Sequence, residues 1–314
     1  MLIVAFVIFA LTSGQGYGYG GRSLSAALIA FSLFLAAMLG FAAGGAPEQV
    51  SSIAGPGAGW LLGVGLFLVF LFYTLGTGTA SFARLGAMAV FIFLPLLVLA
   101  SAQGSDLGAW QDFSTLAAIW ATVKFGPSHW VWPYPGGRLS YVFTVVVAVN
   151  IAIAGFLLLR RTRGVGYSLG WGSGWTVRIL GALVLFACVA IPVGLRLHFI
   201  VYAPRFAEWK NFLPLSVAIL CFTAWPEELL FRGLLQNLIS HATKSGTVGL
   251  IGASILFGLS HITNMHFPNW RYVLLATIAG LFYGWTWRKT GSIFASSIVH
   301  AGVDILWHFL FATP

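Results

Sequence analysis

Residues 212–239 read FLPLSVAILCFTAWPEELLFRGLLQNLI, and their only charged side chains are Glu227, Glu228 and Arg232. An apolar run of about 20 residues is enough to cross a bilayer as a helix, while each ionisable group placed inside hydrocarbon costs at least a few kcal/mol. The stretch therefore reads as a membrane helix that tolerates three expensive side chains. On a helix Glu228 and Arg232 lie four apart on one face with the acid first, the favourable order for an ion pair. Glu227 is turned about 100° from its neighbour. The adjacent acids should do different work, with Glu228 neutralised by Arg232 and Glu227 facing something else. Pro226 fits a kink or a helix start, where backbone N–H groups are unpaired.

The rest of the chain makes the same case for a membrane. Of 314 residues, 16 are Lys or Arg and 7 are Asp or Glu, so 7% are charged, against about 25% in soluble domains. Mean hydropathy is +0.92. A water-soluble globule is excluded, and an aromatic content of 16% excludes disorder. The two cysteines, Cys188 and Cys221, lie inside apolar runs and read as buried small hydrophobes rather than disulfide partners. The net charge of +9 does not point to nucleic acid, because the basic residues stand at the ends of apolar stretches.

Those stretches are 24–43, 58–75, 80–101, 139–159, 177–201, 212–239, 247–265, 272–287 and 292–311, with a shorter one at 2–12 that reads as a short or partly inserted first helix rather than a signal peptide. The fold expected is all-α, a polytopic helical bundle of about eight to ten transmembrane helices. The segment 113–123 is too short to span and, beside HWVWPYPGG, reads as interfacial or re-entrant. One side of the bilayer would carry Arg22, Arg84, Arg160, Arg161, Arg163, Lys244, Arg288 and Lys289, and the other Lys124, Arg138, Arg205, Lys210 and Arg271; the heavier side should be cytoplasmic. The location expected is a bacterial inner membrane.

The run RRTRGVGYSLGWGSGW, residues 160–175, divides the chain into N-terminal membrane helices (1–163), a Gly-rich linker (164–176) and a C-terminal core (177–314). Before it, Glu48, Asp106 and Asp112 are confined to loops; after it, ionisable groups enter the apolar stretches. In FGLSH, Phe257 and His261 are four apart, so the ring can wall off the imidazole. In SIVHAGVD, His300 and Asp304 share the same spacing, which suits two ligands of one metal or a histidine held in one tautomer by a carboxylate. His308 follows on the same face but near the end of the span; His266 reads as interfacial, and His129, His198 and His241 as boundary residues. Acid, His, His and Asp on three apolar helices permit one general chemistry. A water held between Glu227 and His261 is deprotonated as it attacks a carbonyl, and His300 stabilises the oxyanion. No GxSxG, HExxH or Walker loop offers another route.

Taken together, Glu227, Glu228 and Arg232, then Phe257 and His261, then His300 and Asp304 resemble the E-E-x-x-x-R, F-x-x-x-H and H-x-x-x-N/D motifs of the CPBP family, the CAAX prenyl endopeptidases and bacteriocin-processing proteins. The stretch GLFYGWTWRKTGSIFASSIVH before the last motif is similar as well. The resemblance covers roughly residues 180–311. It implies a glutamate-type intramembrane endopeptidase with Glu227, His261, His300 and Asp304 in catalysis and Glu228, Arg232 and Phe257 in support. The partners implied are the lipid bilayer and a peptide or protein substrate, either prenylated or carrying a C-terminal sorting signal, and no nucleic acid. Where eukaryotic members have Asn, this chain has Asp304, which is either protonated, an acceptor that orients His300, or a metal ligand; the second needs no unusual pKa. A divalent metal such as zinc would take Glu227, His261, His300 and Asp304. Two other readings stand beside this one: a non-catalytic scaffold or bacteriocin-immunity protein, and a proton-coupled transporter, for which the chain shows no repeat symmetry.

Overall fold

All nine longer apolar stretches are helical over most of their length in the computed structural model, which describes residues 21–314. The short stretch 2–12 lies outside the described residues. The helices are α1 (Gly21–Phe41), α2 (Ala46–Ala54), α3 (Ala58–Thr77), α4 (Phe82–Ala100), α5 (Trp110–Phe125), α6 (Ser128–Val131), α7 (Gly137–Leu159), α8 (Trp175–Arg196), α9 (Phe206–Thr243), α10 (Gly246–Leu259), α11 (Trp270–Thr290) and α12 (Ile293–Leu310). Seven of them, α1, α3, α4, α7, α8, α9 and α12, are long and apolar enough to cross a membrane. α11 has the length, but its ends carry Arg271, Arg288 and Lys289; α10 is apolar but has only 14 residues. Leu61, Leu68, Val177, Val184 and Leu185 are among many large apolar side chains left on the outside, which is how a bundle meets lipid. The protein is an integral, multi-pass membrane protein.

The chain folds as two compact units, one ending at Arg163 and the other comprising Gly164–Pro314. In the first, α7 is apolar on every side and almost wholly enclosed, as expected of a helix with no polar face. Gly59 on α3 lets the two backbones touch, since a Cβ there would stand 2.4 Å from the Ala154 carbonyl oxygen. Trp132 packs edge-on against Phe70 and Tyr73 with ring centroids 4.9 Å from each. At one end, Arg160 clamps the loop before α5, bonding Asp112 at 2.8 Å and the carbonyls of Ser105 and Asp106. The segment 113–123, expected to be interfacial, lies within α5 and buries Thr115, Leu116 and Ile119.

In the second unit α10 and α11 make the most extensive helix pair. The contact depends on small residues, as helix pairing in lipid generally does: a Cβ on Gly258 would stand 2.6 Å from the Val273 carbonyl oxygen. The Gly-rich stretch expected to be a linker belongs to this unit. Val165 and Tyr167 are buried in it, the Val165 carbonyl accepts from Trp287 Nε1 at 3.0 Å, and the Gly166 carbonyl accepts from Ile293 N–H at 3.1 Å. A two-residue antiparallel bridge, β1 (Val201–Tyr202) with β2 (Phe311–Ala312), joins the α8–α9 connection to the C-terminus. Nothing in the apolar pattern announced it. Cys221 is buried as expected, but Cys188 is exposed on the outer face of α8, where a small hydrophobe is equally at home against lipid.

Candidate active site

α9 is not a regular helix where it carries its acids. Pro226 has no N–H to donate to the preceding turn and its ring crowds the carbonyl four residues back. The helix opens into a π turn at Leu220–Ala224, returns to α at Trp225–Glu228 and opens again over Leu229–Gln236. Such wide turns recur at functional sites. Glu228 and Arg232 still meet, at 3.2 Å between Nε and Oε2, with neither side chain exposed. The guanidinium lies over the Phe257 ring at 4.8 Å and the Tyr283 ring at 5.7 Å. Its Nη1 and Nη2 make no hydrogen bond among the described residues, so the aromatic faces supply the remaining attraction for its charge.

Glu228 has a second partner that the spacing of the motifs did not reveal. Its Oε1 accepts from Nδ1 of His300 at 2.9 Å, and its Oε2 accepts a short hydrogen bond from the Ser296 hydroxyl. His300 is thus held on its enclosed side by Glu228, whereas the sequence pattern favoured Asp304 for that task. Asp304 lies on the other side of the ring, 3.6 Å from Nε2, together with Glu227 at 3.9 Å. Those two carboxylates are 28% and 31% exposed, in contrast to Glu228. The ring therefore has a dry edge, where its orientation is set, and an accessible edge, where two carboxylates converge. Tyr283 stacks on its face at 4.4 Å with planes 17° apart.

His261 sits just beyond the helix it was expected to occupy. α10 ends at Leu259, and the backbone turns through Ser260 and His261 instead of continuing to 265. The side chain uses that position: its Nδ1 lies 2.8 Å from the Phe257 carbonyl oxygen, one of the acceptors that a helix end leaves unpaired. A carbonyl only accepts, so Nδ1 carries the proton and the lone pair of the neutral ring is on Nε2. Phe257 packs edge-on against both histidines, at 4.8 Å from His261 and 5.7 Å from His300. Tyr272 adds a further ring at 4.9 Å from His261.

His261, His300 and Asp304 line one cavity of about 100 Å³, whose remaining walls are mostly apolar and include Phe186 and Ala190 of α8, Ala279 of α11 and Trp307 of α12. That is space for a few waters or an apolar side chain. His308 does not face it; its Nε2 pairs instead with Glu208 at 2.9 Å. The four residues considered as metal ligands do not form such a set, and no group of three or more His, Cys, Asp or Glu side chains among the described residues is placed to hold a metal ion. Ser296, Tyr272 and Tyr283 were not singled out from the sequence. The only signal for Ser296 is its place one turn before His300, on the same face of α12.

Residues 209–306, which contain all three motifs, match the family model described as type II CAAX prenyl endopeptidase Rce1-like. The match supports the resemblance to the CPBP family over that segment, about a third of the chain. The match begins within α9 and ends within α12, so the first unit and α8 lie outside it. For the matched segment it supports a CAAX-type intramembrane protease in general outline. No curated protein and no solved structure matches the chain.

Proposed function

We propose that the protein is an intramembrane endopeptidase that cleaves a peptide bond of a membrane-associated substrate with water activated by Glu227 and His261. The observation that carries the reading is the convergence of Glu227 and Asp304 on the accessible edge of His300. An apolar cavity wall beside that edge suits a substrate that arrives from the bilayer.

The water oxygen attacks the carbonyl carbon while its proton passes to the Glu227 carboxylate, with the Nε2 lone pair of His261 as the second acceptor. Negative charge develops on the carbonyl oxygen and is met by Nε2–H of His300, protonated on both nitrogens, whose ring is pre-set by Glu228 and Tyr283. Collapse of the tetrahedral intermediate breaks the C–N bond; the proton taken from water goes to the leaving amine, and a carboxylate remains on the other product. Asp304 accepts from His300 or, with a proton of its own, donates to the oxyanion. A lipid-bearing C-terminal segment, prenylated or carrying a sorting signal, is the substrate class this reading favours.

The test is cleavage of a membrane-inserted reporter by purified protein in liposomes. Glu227→Ala and His261→Ala should each lower cleavage at least about a hundredfold, the usual scale of a lost acid or base, while both variants insert and purify normally. Undiminished cleavage by either one refutes the assignment.

A further inference from the structure

Three helices of the second unit meet at the hydroxyl of Ser296. From α12 it donates to Glu228 Oε2 on α9, and it lies 2.9 Å from the Tyr283 carbonyl oxygen on α11, fully enclosed. Its neighbour shows what a serine in an apolar helix ordinarily does: Ser297 returns its proton to the Ile293 carbonyl four residues back, at 2.7 Å, as Ser254 does to Leu250. Ser296 reaches across to other helices instead. It does so on the same face as His300, which takes the opposite oxygen of the same carboxylate. Glu228 is thereby bonded at Oε1 by His300 and at Oε2 by Ser296, with Arg232 also on Oε2. A carboxylate tied at both oxygens cannot turn about its last bond without breaking one tie. Without Ser296, the remaining contact at Oε2 is Arg232 at 3.2 Å, beyond the usual span of a charged N–H···O bond.

We propose that Ser296 is a positioning residue: it locks the plane of the Glu228 carboxylate and, through it, the ring orientation of His300 and the proton on its Nδ1. The kinetic consequence rests on the peptidase reading above; the structural one does not. The oxyanion would meet Nε2–H of His300, so a ring free to rock or to lose its hold on Glu228 would weaken the transition state more than substrate binding.

The experiment uses the full-length protein in micelles, labelled with ¹⁵N-histidine, with the His300 signals identified by their loss in His300→Asn. Wild type and Ser296→Thr, which keeps the hydroxyl, should show one set of His300 ring signals with Nδ1 protonated. Ser296→Ala, which removes one oxygen, should show shifted or averaged ring signals at His300 while the other histidine signals stay at their wild-type positions. In the cleavage assay Ser296→Ala should lower kcat about tenfold, the scale of one hydrogen bond to a charged group, with KM within about twofold; Ser296→Thr should restore kcat. A wild-type ring signature in Ser296→Ala overturns the proposal whatever the activity. If wild type cleaves no reporter, the peptidase reading fails and the spectra still decide the role of Ser296.

Discussion

Replacing Arg232 with methionine tests whether the enclosed charge cluster is held together in the way the distances indicate. Methionine keeps the apolar stem and removes the guanidinium that lies 3.2 Å from Glu228 and 4.8 Å from the Phe257 ring centroid. Removing one partner of a buried ion pair usually destabilises by about 3–5 kcal/mol, because the other charge is left uncompensated. Glu228 is not left bare, since His300 and Ser296 still donate to it, and each hydrogen bond to a charged group contributes about 1.5–3 kcal/mol. The loss should therefore sit at the low end, about 3 kcal/mol, to which the lost aromatic contact adds on the order of 1 kcal/mol. Glu228→Gln in the same chain removes the charge that Arg232 compensates, so the double variant should recover about 2 kcal/mol relative to the sum of the single changes. The measurement is reversible denaturant unfolding in micelles, followed by tryptophan fluorescence. An Arg232→Met variant within about 1 kcal/mol of wild type, or a double variant that is merely additive, refutes the picture of a mutually compensated cluster.

Two further outcomes follow from the geometry. Gly258→Val places a side chain against the fixed Val273 carbonyl, 2.6 Å from its Cβ, and should destabilise the second unit by about 1–3 kcal/mol through overpacking; the same unfolding titration checks it, and a neutral result would mean that α10 and α11 separate without loss. Asp304→Asn, which can still bond to its neighbours, should keep cleavage within about tenfold of wild type, whereas Asp304→Ala should lose on the order of a hundredfold, as oxyanion-site deletions do; equal activity of both variants in the reporter assay would remove Asp304 from the chemistry.

The helices were legible because an apolar run in a chain this poor in charge has few other uses, and because i, i+4 spacing survives even where α9 widens into a π turn: Glu228 and Arg232 meet as their spacing predicts. What the spacing hid was everything that depends on which helices are neighbours. The bond from Glu228 to His300 joins positions 72 apart, and no local rule distinguishes it from a bond between Asp304 and His300. Ser296 looked like any small residue of a membrane helix until α9 and α11 were placed around it. His261 was read as part of a longer helix because its neighbours are apolar, yet the backbone turns at Ser260 and the imidazole satisfies the helix end. The β1–β2 bridge is two residues long on each side, below the length at which strand alternation can be seen.

The burial of Val165 and Tyr167 alters where the second unit can be cut. Gly166, at a φ of +75°, brings its backbone against Gly291, where a Cβ would lie 2.2 Å from the carbonyl oxygen, and its own carbonyl receives the N–H of Ile293 at the first turn of α12. A truncation that starts at 177, after the glycines, would strip that helix start of its acceptor and leave the indole N–H of Trp287 without the Val165 carbonyl. One that starts at 209, where the family match begins, would also remove α8 and with it one wall of the cavity. The second compact unit begins at Gly164, 45 residues before the segment that the family model matches.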